Sequence, residues 1–215
     1  MELLLIRHGE MAGDPFIKPG LGVTGCLSEK GVQEAKATAK LLEPLELTHV
    51  FSSSYGRALQ TAEIATKGKP VSIQILDFLH EWAPNHSLDE LPSTEASKIR
   101  EQTASYEIDQ LWKTELGEGT YEMLNRIGPP FLKELNKIGL KRNFSFYTRD
   151  ESLSEDARIA IFAHGGSLNI LASFLMNFTP NPAGYFNFEH TGILRITFNK
   201  VKNIYFPNIY NSANL

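Results

Sequence analysis

The chain has 215 residues, 42% hydrophobic and 21% charged, enough for one large folded domain and unlike a disordered or low-complexity chain. A formal charge of −4 excludes a broad nucleic-acid-binding face, so any anion must be held in a local pocket. The single cysteine, Cys26, excludes an internal disulfide, and no apolar run reaches the ~18 residues of a membrane span, so a cytoplasmic protein is expected.

Residues 2–7 are almost continuously apolar, which predicts a strand buried on both faces. A Gly/Pro-rich loop follows over 13–25. The spacing then predicts a helix over 28–45, with Ser28 as N-cap and Pro44 marking its end. A short strand over 48–54 runs into a helix over 55–66, with Ser54 as its cap, and another strand is expected over 71–76. Residues 83–118 lack a strand pattern and read as a helical cap or insertion, with helices at 93–103 and 105–114. A helix beginning at 120 should break or kink at Gly128-Pro129-Pro130. Residues 141–156 read as a polar surface loop, 158–163 as a buried strand and 167–178 as an apolar helix. Residues 192–206 alternate like a hairpin turning near Asn199-Lys200. The whole predicts a single domain over 1–215, a three-layer α/β/α fold with a mainly parallel central sheet.

In such sheets ligands gather beyond the carboxyl ends of the strands. The first strand ends on Arg7-His8-Gly9-Glu10 and the later one on His164-Gly165-Gly166, so two strands finish in His-Gly. Arg57 falls in the first turn of the helix after strand 48–54, where acids are the usual occupants, and Glu81 follows strand 71–76. All four positions are expected at one sheet edge. Each has an ordinary reading as well. The histidines could be hydrogen-bonded core residues, Arg57 an exposed helix residue and Glu81 a solvated acid. A metal site of two histidines and a carboxylate is disfavoured by Arg7 beside His8. His80 and His86 are alternative acids, and His190 opens an HTG segment near the same edge.

With these residues in view, the chain resembles the histidine phosphatase superfamily, which includes the phosphoglycerate mutases. The resemblance is carried, in order, by Arg7-His8-Gly9-Glu10, LSEKGVQEA (27–35), SSSYGRALQTA (52–62), Glu81 and AHGGS (163–167). It implies a phosphoglycerate mutase-like fold and a phosphohistidine formed at His8. Arg7 and Arg57 would bind phosphate oxygens, and His164 would donate a further hydrogen bond, as a neutral ring or a cation. Glu81 would protonate the leaving oxygen and then activate water. Gly9, Gly165 and Gly166 would bring the backbone close to the ligand. The resemblance implies no bound cofactor or metal. The chain departs from the mutases at Asp14, where they carry asparagine, and in placing Thr24-Gly25 later in the loop.

A mutase needs a basic lid over glycerate phosphates, whereas residues 85–118 carry eight acids and only Lys98, Arg100 and Lys113 as bases. The expected activity is therefore hydrolysis of a small phosphomonoester with release of phosphate. Trp82, Phe78 and Trp112 are candidates for an apolar leaving-group pocket. A phosphoglycerate-mutase-like phosphotransferase and a non-catalytic phosphate- or phosphopeptide-binding module are the alternatives.

Overall fold

Strand β1 (Glu2–Arg7) lies inside an eight-stranded sheet, where its unbroken apolar run feeds both faces. The computed structural model describes residues 1–12, 27–82, 98, 117–182 and 184–210. Loop 13–25 with Asp14 and Thr24, Cys26, His86, Trp112, and (Lys98 excepted) the helices expected at 93–103 and 105–114 lie outside these residues.

After β1 come α1 (Glu29–Leu42), β2 (His49–Ser52), α2 (Gly56–Ala65), β3 (Ile73–Ile75), α3 (Thr120–Lys137), β4 (Leu140–Asn143) and β5 (Phe146–Arg149). The chain continues with β6 (Arg158–Ala163), α4 (Gly165–Met176), β7 (Ile193–Val201) and β8 (Ile204–Tyr210). The sheet order is β3-β2-β6-β1-β7-β8-β5-β4. Leu4 and Ile6 pack with Leu42, Ala62, Ala65 and Phe162 on the α1/α2 side. Leu3 and Leu5 pack with Met123, Ile127, Phe131 and Leu168 on the α3/α4 side. The three layers expected from the sequence are therefore present.

The expectation of a mainly parallel sheet is corrected to a mixed one. The pairs β3/β2, β2/β6 and β6/β1 are parallel, and the pairs from β1/β7 to β5/β4 are antiparallel. One of the four antiparallel pairs, β4/β5, comes from a hairpin in place of the expected surface loop. Asn143 pairs with Phe146, leaving a two-residue turn, and a hairpin joins only antiparallel strands. Its positive-φ position is taken by Phe144 (φ 56°), so no Gly or Asn announces it. The second hairpin pairs Val201 with Ile204 and turns at Lys202-Asn203, later than expected, with Lys202 at φ 56°.

Helix α3 runs unbroken through Pro129 and Pro130, so of the expected break or kink the break does not occur. Two internal prolines cost roughly 3 kcal/mol each on propensity alone. Met123, Ile127, Phe131 and Leu135 recur at i+4 and are fully buried, at roughly 1.5–3 kcal/mol per side chain. Gly128 brings the helix against α4: a Cβ there would lie 2.8 Å from the Phe174 ring. Tertiary packing thus overrides local propensity.

Helix α1 begins as expected, with Ser28 Oγ accepting from Gly31 N at 3.0 Å. Its first turn lies directly on the end of β1. A Cβ on Gly31 would sit 1.9 Å from the Glu10 carbonyl oxygen, and one on Gly9 would sit 2.7 Å from the Gly31 oxygen. Gly9 therefore serves helix–strand contact. Gly31→Ala should destabilise the fold by about 1–3 kcal/mol, the usual cost of overpacking. A urea midpoint equal to that of the unsubstituted chain would contradict this.

Candidate active site

Strand pairing brings the two histidines together. Arg7 is in register with Ala163, and Ser52 with Phe162, so His8, His164 and Ser53 leave adjacent strands β1, β6 and β2 at one level. Backbone bonds continue past the strands, from His8 N to Ala163 O (3.0 Å) and from Ser53 N to Phe162 O (2.9 Å). The His8 and His164 ring centroids are 5.1 Å apart. Both side chains are buried, as is Arg57.

Hydrogen bonds define the tautomer of His8. Its Nδ1 lies 2.7 Å from the Gly9 carbonyl oxygen, which can only accept, so Nδ1 carries the proton. Arg57 Nε–H, which can only donate, points at His8 Nε2 over 3.2 Å. A neutral ring with its lone pair on Nε2 satisfies both. The same Arg57 Nε–H is shared with His164 Nδ1 at 3.1 Å. His164 then carries its proton on Nε2 and donates to Ser53 Oγ at 2.9 Å. Of the two forms expected for His164, the neutral ring is the one present.

The electrostatics agree. Burial, then the Arg57 and Arg7 guanidiniums, hold the His8 imidazolium well below the usual histidine range, against an opposing contribution from the Gly9 carbonyl. Burial and Arg57 do the same to His164. The sequence points to the arginines as the neutralising influence; the structure puts removal from water first. The unfolded chain protonates both rings near pH 6.5, whereas the fold resists. Stability is therefore full above about pH 6.5 and is lost as pH falls toward the lowered folded values. His8→Gln should lose less stability between pH 7 and pH 5 than the parent chain in urea titrations. Equal losses would contradict the assignment.

Arg57 is held from its own helix. Thr61 Oγ donates to the Arg57 carbonyl (2.7 Å) and accepts from Gly9 N (3.0 Å), tying α2 to the end of β1. Arg7 donates from Nη1 to the Phe188 carbonyl at 2.6 Å, so that part of its fork is committed to the protein. Its buried Nε has no hydrogen-bond partner among the described residues and faces Gly165, where a Cβ would lie 3.8 Å away.

Glu81 arrives from the far side of the sheet. Leu76 N bonds to Ser52 O at 2.8 Å, the 77–79 turn follows, and Glu81 reaches the first turn of α4. Its carboxylate accepts from Gly166 N (3.1 Å), Ser167 N (3.1 Å) and Trp82 N (3.0 Å). Negative charge at a helix N-terminus is the favourable arrangement. The side chain is half-buried beside the histidine cluster.

Sequence reasoning overlooked Tyr55, Ser53 and Thr61, although all three lie within the segment that identified Arg57. The Tyr55 ring meets His164 edge-on at 5.3 Å, stacks with His80 at 5.6 Å and has Arg57 Cζ 5.1 Å from its centre. Ser54, the expected cap of α2, instead donates to Asp77 Oδ1, and the N-cap position is Tyr55. His190 does reach the site, its ring 5.7 Å from that of His8, because β7 runs antiparallel to β1 and starts where β1 ends. Trp82 is buried in the core, donates to the Glu118 carbonyl and packs on Gly117, and Phe78 is partly buried against the same core.

The histidine phosphatase superfamily (branch 1) family model matches residues 3–205. The chain is similar to a probable phosphoglycerate mutase GpmB of Erwinia tasmaniensis, 26% identical over 200 residues that span 91% of this chain and 84% of the relative. It is also similar to fructose-2,6-bisphosphatase TIGAR B of Danio rerio, 28% identical over 187 residues, 81% of this chain and 68% of the relative. A solved mycobacterial glucosyl-3-phosphoglycerate phosphatase, complexed with VO3, shares the fold with a TM-score of 0.71 at 19% identity, over 99% of each chain.

Proposed function

Because the chain belongs to the histidine phosphatase superfamily, branch 1, we propose that it hydrolyses a small phosphomonoester through a phosphohistidine at His8. The observation that carries this reading is the His8 ring, neutral, with its Nε2 lone pair aimed at Arg57. Nε2 attacks phosphorus, the bond from phosphorus to the ester oxygen breaks, and Glu81, entering this step as the protonated acid, gives that oxygen its proton and leaves as the carboxylate. Water then attacks the phosphohistidine and passes a proton to the Glu81 carboxylate; the Nε2–phosphorus bond breaks and releases phosphate. His8 returns neutral.

Arg57 supports both steps. Its Nε–H bridges the two rings, and an arriving phosphoryl oxygen draws donor density from ring nitrogens to itself, exposing the nucleophile as it binds. Arg7 adds a second positive charge beside the first turn of α4. His164, fixed by Ser53, donates to the bound group once its Nδ1 takes up a proton, which the arriving negative charge favours.

Hydrolysis is favoured over mutase chemistry by the acidic composition of residues 85–118, which does not match the demand of a substrate that adds a carboxylate to its phosphate. The similarity to GpmB supports the mutase reading as the alternative. Phosphate release from alkyl and aryl monoesters, measured beside isomerisation of 3-phosphoglycerate, separates the two. Isomerisation without phosphate release would replace the phosphatase reading with the mutase one.

A further inference from the structure

The loop that carries Glu81 is held from below by a residue no catalytic motif contains. Arg126, in the second turn of α3, donates from Nη1 to the carbonyls of Phe78 (2.7 Å) and His80 (3.1 Å). Its Nη2 donates to the carbonyl of Glu81 itself (3.4 Å) and to Glu118 Oε1, and its Nε donates to Glu118 Oε2 (3.0 Å). A guanidinium has five N–H donors, and these contacts use five. The Arg126–Glu118 pair is largely shielded, with side chains 19% and 14% exposed.

Glu118 binds the same loop by a second route, since its backbone carbonyl accepts from Trp82 Nε1 at 2.6 Å. Gly117 lies flat on the Trp82 ring, where a Cβ would come within 2.0 Å. Trp82 and the Gly117-Glu118 pair are thus clasped together. The acid thus has two anchors: its carboxylate on the first turn of α4, its backbone on Arg126. A three-carbonyl clamp on one short turn is more than a fold needs to pair one buried arginine with one glutamate.

We infer that Arg126, held in register by Glu118, is a positioning residue for the general acid: it fixes the backbone of 78–81 so that Glu81 meets the leaving oxygen. This rests on the role proposed for Glu81. Arg126→Lys keeps the charge but offers a point donor in place of the planar fork. It should slow phosphorylation of His8 by roughly 10–100-fold with an alkyl phosphate, the cost of about 1 Å of misplacement, while changing phosphorylation by an aryl phosphate with a good leaving group little. Glu118→Gln, a milder change, should show the same leaving-group pattern at smaller size and guards against a failure of Arg126→Lys to fold.

In a Glu81→Gln background, Arg126→Lys should add almost nothing on the alkyl ester, because the group it positions has already lost its function. An equal loss on both esters, or a full additional loss in the Glu81→Gln background, would overturn the inference and leave a structural ion pair. Glu81→Gln showing no leaving-group dependence would overturn the acid assignment itself and this inference with it. The two failures are thus distinct.

Discussion

His8→Ala should abolish turnover, with phosphate release falling by about 10⁴-fold or more, the order that follows removal of a covalent nucleophile. The expectation comes from the geometry around Nε2. The Gly9 carbonyl and the Arg57 donor fix the His8 tautomer so that its lone pair lies on that atom. His164 cannot substitute without losing an anchor, because its Nδ1 already accepts from Arg57 and its Nε2 proton is engaged by Ser53. Quenching the parent chain with an alkyl or aryl monoester should trap a phosphoryl label that is lost in acid and survives in base, as a phosphohistidine does. The variant should carry none. A labelled His8→Ala protein would move the nucleophile elsewhere. A parent chain that binds phosphate but neither labels nor turns over would favour a binding module.

The sequence made this centre legible because its placement depends on short, strong signals. The apolar runs of β1 and β6 could only be central strands, and central neighbours bring His8 and His164 to one edge. Arg57 followed from a strand-to-helix step that stays local. What the sequence concealed was long-range or went against propensity. Hairpin β4–β5 is polar, peripheral and turned by Phe144 in a conformation that glycine usually takes, so nothing in its residues marks it. Helix α3 survives Pro129-Pro130 because Gly128 lets it settle on Phe174, a partner 46 positions away. Tyr55 and Thr61 sat inside a recognised segment but carry no charge, and their roles depend on where His164 and Gly9 arrive. Arg126 is the extreme case: three of its acceptors are backbone oxygens 45–48 residues away, which no side-chain pattern records.

These long-range contacts share a direction. Thr61 joins Arg57 to Gly9, Ser53 joins His164 to β2, and Arg126 joins Glu81 to α3, so each charged or reactive group is held by a second element besides its own. Precision of this kind matters for phosphoryl transfer, where the protein contributes placement and charge more than bonds.

Glu81→Gln should lower kcat by roughly 10²–10⁴-fold on alkyl phosphates, the usual worth of a general acid. Glutamine is nearly isosteric, so it tests the proton and not the shape. Its amide oxygen can still accept from one or two of the three N–H groups that meet the carboxylate now, while its NH₂ group cannot. The loop should therefore stay in place under Arg126, and a thermal midpoint close to that of the parent would confirm it. The size of the loss should depend on the leaving group. An aryl oxygen departs without help, so phosphorylation of His8 should stay near normal and the phosphohistidine should accumulate, because the same variant also lacks the carboxylate that activates water. An alkyl oxygen needs the proton, so the first step should slow and no intermediate should build up. Accumulation with aryl but not alkyl esters is a pattern that neither a misfolded site nor a weakened phosphate grip produces. If Glu81→Gln turns over alkyl esters at the parent rate, the proton comes from elsewhere. His80, stacked on Tyr55 at the same site, is then the residue to replace next.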